Sequence, residues 1–396
     1  MKKETIHAKR YKRRAHVDYF LLALILFLLI AGLLMLFEAS SYMGQALHND
    51  GYYYIKSQMQ GVVLGLGAMA GLSILNYRIW QKKVCLVLIY ALCMLVLALC
   101  FSPIGINING ARRWINLGSA FQPSELSKFG IVMVVAGILA QYTQGQIRNV
   151  KAGLLLPLGV ILSQAILLYR QPNYSMLILT VVSGVALLIA AGMRPAHIAV
   201  LAILGGSVGL VLLFRESYRA ARVDMFLNPF DDKSGAANQM QQAYYAIASG
   251  GFLGRGLGRS RQKFLFLPQR ESDFIVAIIA EEFGIAGCLV LIILFFLLIW
   301  KGYRIASQCK DVYGSLLAIG ITTMIGFQAM INIGVGLVAL PTTGLTLPFF
   351  SLGSSSLTCT LAAMGLLLSV SRDAGRQAGA RNTSSPRPEF RKTSSY

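Results

Sequence analysis

One carboxylate, Asp273, stands where a charged loop runs into an apolar helix, in the stretch LPQRESDFIVAIIAEEFGIAG at 267–287. Arg259, Arg261, Lys263 and Arg270 precede it; Phe274 to Ile279 follow, then Glu281 and Glu282. A carboxylate at a membrane boundary costs free energy unless it is paired or solvated, so it reads as a functional residue. Its plainer role is structural, because Ser272 or Asp273 could cap the first free N–H groups of the helix. Glu281 lies about 12 Å further along a straight helix, within a quarter-turn of the same face, and Glu282 points nearly opposite. Internal pairing is the modest reading for Glu281.

A second constellation is cationic. The stretch NGARRWINLGSAFQPSELSKFG at 109–130 carries Arg112, Arg113 and Trp114, amphipathic groups suited to a membrane interface. Pro123-Ser124 looks like a helix start, with Glu125 in the first turn. Glu125 and Lys128 are three apart, share a face and can pair. Lys128 falls early in an apolar run, where an unpaired ammonium is costly. The pair either serves structure alone or presents a cation to a phosphate.

Further along, Gly254, Gly256 and Gly258 alternate with Arg255 and Leu257. Glycines let backbone N–H groups approach an anion, and Arg255, Arg259, Arg261 and Lys263 supply charge; a flexible loop is the bland alternative. No strand precedes these glycines, so they are no dinucleotide fingerprint. The segment QAMINIGVGLVALPTTGLTLPFFSLGSSSL at 328–357 holds Pro341 and Pro348 among Ser, Thr and Gly, which implies broken or re-entrant helix. Irregular backbone at membrane depth needs protein or a water-filled cavity over it, so this segment is expected to line the same cavity as Asp273.

The elements that must position these groups are membrane helices. The chain has 396 residues, 56% hydrophobic and 13% charged, about half the charge of a soluble domain. The apolar residues are bunched into long runs, the mark of an all-α polytopic membrane protein. About ten transmembrane helices are expected, near 19–37, 58–76, 84–101, 124–141, 152–169, 174–192, 197–214, 273–299, 313–332 and 346–370. A basic tail (1–18) precedes the ten-helix domain (19–370), and a Ser/Arg/Gly/Pro-rich tail (371–396), expected to be disordered, follows it. An even count puts both tails on one side, and seven Lys/Arg before the first run and six after the last make that side cytoplasmic.

One long extracellular loop, 215–272, then joins spans 7 and 8, and it holds nine basic residues against the usual bias. Ligand anions would account for them, and so would a long loop that is translocated regardless of its charge. The net charge of +20 invites a nucleic-acid reading, but the basic residues sit where membrane topology puts them, and no nucleic-acid partner is expected. Six cysteines lie in or beside apolar runs without metal-ligand spacing. Ser307 to Lys310 fits S-x-x-K and Lys233-Ser234-Gly235 resembles K-T-G, but their order is wrong and the topology puts them on opposite faces, which rejects a transpeptidase.

The blocks NGARRW…FQPSELSKFG, RVDMFLNPFDD, SRQKFLFLPQRESDFIVAIIAEEFGIAG and NIGVGLVALPTTGLTLPFFSLGSSSL resemble, in order and spacing, the SEDS family (shape, elongation, division and sporulation) over residues 15–372. The SRQKFLFLP run is more similar to the FtsW division branch than to the RodA elongation branch. The resemblance implies a peptidoglycan glycosyltransferase that polymerises lipid II at the outer face of the bacterial cytoplasmic membrane. It implies a class B penicillin-binding protein as partner, other division-complex membrane proteins nearby, and a place at the septum. It makes Asp273 the catalytic aspartate and carries substrate-binding roles to Arg113, Trp114, Glu125 and Lys128, with Arg259, Lys263 and Ser354 in neighbouring boxes. Asn173 stands where the family has an acidic residue, and Glu271-Ser272 replaces the usual His-Thr.

On this reading Asp273 is the general base for the acceptor sugar's 4-hydroxyl, which attacks the anomeric carbon of the lipid-linked donor with inversion. Diphosphate leaves well without a second carboxylic acid, unlike the leaving group of a hydrolase. It needs cations, from Lys128, Arg113 and the loop, or a divalent ion (Mg²⁺ or Mn²⁺). A lipid II flippase and a non-catalytic scaffold for the transpeptidase are the rival classes. The clustering of charge on one side favours chemistry there, and a scaffold has no need of Asp273.

Overall fold

The structure is a computed structural model that describes residues 17–108, 110–116, 120–215, 226–230, 238–262 and 271–381. Most of it is helix. The main elements are α1 (Tyr19–His48), α2 (Tyr53–Ile74), α3 (Lys83–Leu99), α4 (Pro123–Leu139), α5 (Leu156–Arg170), α6 (Tyr174–Ala190), α7 (Pro195–Arg215), α8 (Asn238–Gly250), α9 (Ile275–Gln308), α10 (Val312–Gly336) and α11 (Ser354–Arg381). Among the described residues, five helices are long and apolar enough to cross a membrane: Tyr19–His48, Gly153–Arg170, Ile275–Gln308, Val312–Gly336 and Ser354–Gly375. Lys83–Leu99, Tyr174–Ala190 and Pro195–Ser207 are shorter apolar helices. The chain is a polytopic helical membrane protein, as its apolar runs imply.

Helix starts follow local chemistry. The Asp18 carboxylate accepts from Leu21 N–H at 3.1 Å to cap α1, and Asp311 accepts from Gly314 N–H at 3.0 Å to cap α10. Pro123 opens α4 with Glu125 in its first turn, where neither a missing N–H nor a negative charge is a burden. Small residues set the closest helix pair. A Cβ on Gly61 of α2 would stand 2.7 Å from the Ser354 carbonyl oxygen, and one on Gly365 of α11 would stand 2.6 Å from that of Met69. Contact of that kind drives association where lipid is as apolar as the side chains.

The end of the bundle where the described chain begins and finishes is knitted by charge. Lys301 meets Asp18 at 2.7 Å, and Arg78 meets Asp373 at 2.7 Å. Tyr77 donates to Asp373 at 3.1 Å. Burial, with Cys309, Asp311 and Asp373 close by, pushes the Tyr77 hydroxyl up, so it keeps its proton.

Three features depart from the sequence reading. The loop after α3 folds as a three-stranded antiparallel sheet, β1 (Gly105–Ile108), β2 (Ala111–Asn116) and β3 (Ala120–Phe121), in the order β1-β2-β3. Helix α1 runs on to His48, eleven residues past the expected end. And α9 is not one straight rod, because Gly284 (φ 67, ψ −164) breaks it into 275–283 and 285–308. Side chains from Ile275 to Glu282 are all buried, whereas Phe283, Ile285, Leu289 and Val290 are exposed. The first segment is therefore an internal helix, and because the break falls beyond Glu281, Asp273 and Glu281 still stand at opposite ends of it.

The break holds the glycine-rich arc at 250–258. Arg255 N–H donates to the Glu281 carbonyl at 3.0 Å and Gly256 N–H to that of Glu282 at 2.9 Å. A Cβ on Gly284 would lie 2.4 Å from Gly254 N and 2.5 Å from Phe252 O. Left-handed backbone and backbone overlap together predict that Gly284→Ala costs about 2–5 kcal/mol. A lower thermal midpoint of the detergent-solubilised protein checks this; an unchanged midpoint contradicts it.

Candidate active site

Asp273 lies two residues before α9 and is 7% exposed. The N-cap position of α9 is Phe274, which makes no side-chain cap, so neither Ser272 nor Asp273 holds the capping position. The approach to Asp273 is tied to the irregular segment between α10 and α11. Ser351 Oγ donates to the Ser272 carbonyl at 2.6 Å and accepts from Leu347 N–H at 2.8 Å. Leu352 N–H donates to the Glu271 carbonyl at 2.7 Å. Gln58 of α2 closes the hub, donating to Ser351 O at 3.3 Å and accepting from Gly353 N–H at 3.0 Å. Segment 337–353 is non-helical and packs against the aspartate's own segment, as its prolines suggest.

The Glu125–Lys128 pair belongs to the same frame. Lys128 is fully buried, 2.5 Å from a Glu125 oxygen and 2.8 Å from Gln328 Oε1. Gln328 Nε2 donates to Thr346 O at 2.8 Å, and Thr346 Oγ1 shares a hydrogen bond with Ser356 Oγ at 3.0 Å. Thr346 is the chain neighbour of Leu347, so the buried ammonium connects through Gln328, Thr346 and Ser351 to the backbone beside Asp273. Phe129 packs its ring 5.0 Å from the ammonium. Enclosed with its counter-carboxylate, the ammonium acts on its surroundings as one end of a dipole, in a low dielectric that screens it little.

The other expected residues divide. Arg113, half-buried on β2, donates to the Pro172 carbonyl, and neighbouring Asn173 donates to Ser124 Oγ at 3.1 Å. These bonds bind the sheet to the start of α4. Trp114 pairs with Ile106 in the β1–β2 ladder. Ser354 donates to Ser57 O at 2.8 Å, an α2–α11 packing bond; its neighbour Ser355 accepts from Gln122 N–H at 3.3 Å, at the threshold of α4. Arg259 is exposed. Lys263 and Arg270 lie outside the described residues. The anion cradle expected at Gly254 and Gly256 is corrected: Gly254 N–H bonds to Gly250 O at 2.9 Å, and the next two N–H groups bond to α9. These donors are spent on holding the loop.

Sequence reading missed Ser351, Gln328, Thr346 and Gln58. Gln58 and Gln328 are 0% and 1% exposed inside apolar helices, and an amide at that depth is itself a pointer. For a metal, the donor set is thin. Among the described residues no three His, Cys, Asp or Glu side chains converge. The described chain does not fit a protein-built divalent cage.

The family model described as a cell cycle protein of the FtsW, RodA and SpoVE type matches residues 19–376. Stage V sporulation protein E of Bacillus subtilis is 38% identical over 364 residues, covering 91% of this chain and 98% of that protein. The "Probable peptidoglycan glycosyltransferase FtsW" of Geobacter sulfurreducens is 36% identical over 357 residues, covering 89% and 95%. Among solved structures, a chain of a peptidoglycan synthase complex that coordinates polymerization and crosslinking superposes with TM-score 0.75 at 28% identity, covering 90% of this chain and 98% of that one. Rod shape determining protein RodA of Thermus thermophilus gives TM-score 0.67 at 27% identity, covering 90% and 97%. With the match running through every segment that frames Asp273 and Lys128, the chain belongs to the FtsW/RodA/SpoVE family, the SEDS proteins.

Proposed function

We propose that this protein is a peptidoglycan glycosyltransferase that polymerises lipid II at the outer face of the cytoplasmic membrane, with Asp273 as general base. The observation that carries the reading is the shared frame: a buried carboxylate at a helix entry, tied through Ser351, Thr346 and Gln328 to a buried ammonium. Asp273 takes the proton of the acceptor sugar's 4-hydroxyl. That oxygen bonds to the anomeric carbon of the donor as the bond to diphosphate breaks, and undecaprenyl diphosphate leaves with its electron pair. The configuration inverts because the displacement is single. Lys128 acts through the field behind the site, while Arg113 holds the sheet and the 172–173 turn beside α4. A divalent ion would be held by the diphosphate oxygens and Asp273 and would neutralise charge on the leaving group.

The naming of relatives as FtsW and as a sporulation protein supports wall synthesis at a septum. The peptidoglycan synthase complex among the structural relatives supports a class B penicillin-binding protein as partner. The topology that goes with this reading is multi-pass with both termini cytoplasmic. The test is to incubate purified full-length protein with lipid II, alone and with its partner transpeptidase, and to resolve the glycan chains. Polymer in either condition supports the assignment; none in both defeats it.

A further inference from the structure

Apart from the Asp273 frame, a densely bonded buried carboxylate is Glu281, fully enclosed near the end of the internal helix. One oxygen accepts from the Ser260 hydroxyl at 2.5 Å and from Gln262 N–H at 3.2 Å. The other accepts from Arg261 N–H at 2.9 Å, with Ser249 Oγ at 3.4 Å. Arg255 lies against it at 3.9 Å while its Nε–H donates to Ser249 O at 3.2 Å. Glu282 adds a bond from Ser260 N–H at 3.4 Å. Nothing in the chemistry at Asp273 uses this cluster, yet it grips the turn from which the chain runs on toward Asp273. The gripped turn borders a pocket of about 410 Å³ lined by Tyr245, Ser249, Arg255, Arg261 and Glu281.

A carboxylate that accepts from successive N–H groups fixes a turn's backbone, and a fixed backbone aims the side chains it carries. The side chains in question are arginines. Guanidinium groups suit diphosphate oxygens through paired N–H bonds, and holding them in place in advance lowers the entropy lost on binding. We propose that Glu281 is a positioning residue: it fixes the 260–262 turn that carries Arg261 and pairs with Arg255, so that both receive the diphosphate of the lipid-linked substrate at this pocket. The proposal rests on the glycosyltransferase reading and deepens it. It separates two tasks, with the base on one end of the internal helix and, on the other, capture of the lipid-linked donor before it reaches the base.

The test uses full-length protein, with partner if the wild type requires it, and the variants Glu281→Ala, Glu281→Gln, Arg261→Gln and Glu281→Ala/Arg261→Gln. Loss of a charged hydrogen-bonded contact is expected to raise KM for lipid II about tenfold in Glu281→Ala, with kcat within about twofold. Glu281→Gln falls between, because one oxygen still accepts while the amide nitrogen opposes the Gln262 N–H. Arg261→Gln raises KM similarly, and the double variant is no worse than the single ones, since each breaks the same contact. Reduced kcat at unchanged KM, or KM effects that multiply in the double variant, overturns the proposal. Binding of undecaprenyl diphosphate is measured separately and needs no turnover. If the wild type makes no polymer, the glycosyltransferase reading fails, and positioning is judged on this arm alone. About tenfold weaker binding in Glu281→Ala supports it; equal affinity overturns it.

Discussion

Asp273→Asn is expected to stop lipid II polymerisation while leaving the protein folded. The amide has the shape of the carboxylate and none of its basicity, so the substitution removes proton transfer at nearly constant volume. General base catalysis contributes about 10²–10⁴-fold, and a fall in kcat of that size is the expected result. The structure argues against a confounding loss of fold. Asp273 does not occupy the N-cap position of α9, which falls to Phe274. The bonds that hold its segment run through the Ser272 and Glu271 carbonyls to Ser351 and Leu352. Backbone groups make those bonds, so they do not depend on the carboxylate at 273. Asp273→Ala should behave alike in rate. The measurement is glycan chain formation from purified lipid II beside a thermal unfolding curve for each variant. Near wild-type turnover in Asp273→Asn would sink the base assignment, because an amide cannot take the proton.

How far the sequence led depends on the scale of the signal. Long apolar runs announced the helices, since few other structures satisfy every backbone group in lipid. The sheet after α3 was legible in principle. Ile108 pairs with Ala111 across Asn109-Gly110, and Gly110 has φ 78. Asn-Gly between apolar, β-prone residues is a strong short-range hairpin sign. The charged residues around it draw the eye to an interface instead of a hairpin. The break at Gly284 was hidden for a different reason: glycine is common inside membrane helices, and only the docking of Phe252 and Gly254 on that point gives it meaning.

The same contrast runs through the site. Asp273, Glu125 and Lys128 stood out because charge in apolar sequence is costly. Ser351 did not, since one serine in SLGSSSL looks like the next. Its role comes from meeting Ser272, 79 residues away, which no local pattern encodes. The glycine-rich arc misled in the opposite sense. Glycines that suit an anion also suit a helix backbone, and the partner here is α9.

Lys128→Ala is expected to be the most damaging single change to stability. It strips the partner from Glu125, which is 1% exposed and 2.5 Å from the ammonium. It also leaves Gln328 Oε1 without the donor now 2.8 Å away. Removing one member of a buried pair costs about 3–5 kcal/mol, because the other charge stays buried and uncompensated. Thermal unfolding in detergent should show this as a large drop in midpoint, and polymerisation should vanish. Lost activity in that variant alone does not separate a catalytic charge from a structural one. The double variant Glu125→Gln/Lys128→Met does, since it removes both charges at similar volume. Replacing a whole buried pair by neutral groups is often neutral or stabilising, so the midpoint should return to near that of the wild type. Activity should not return with it, because the dipole of the Glu125–Lys128 pair, with its ammonium end toward the site in this proposal, is gone. A double variant that folds well and polymerises at the wild-type rate would make the pair a structural device and leave leaving-group stabilisation to the loop cations.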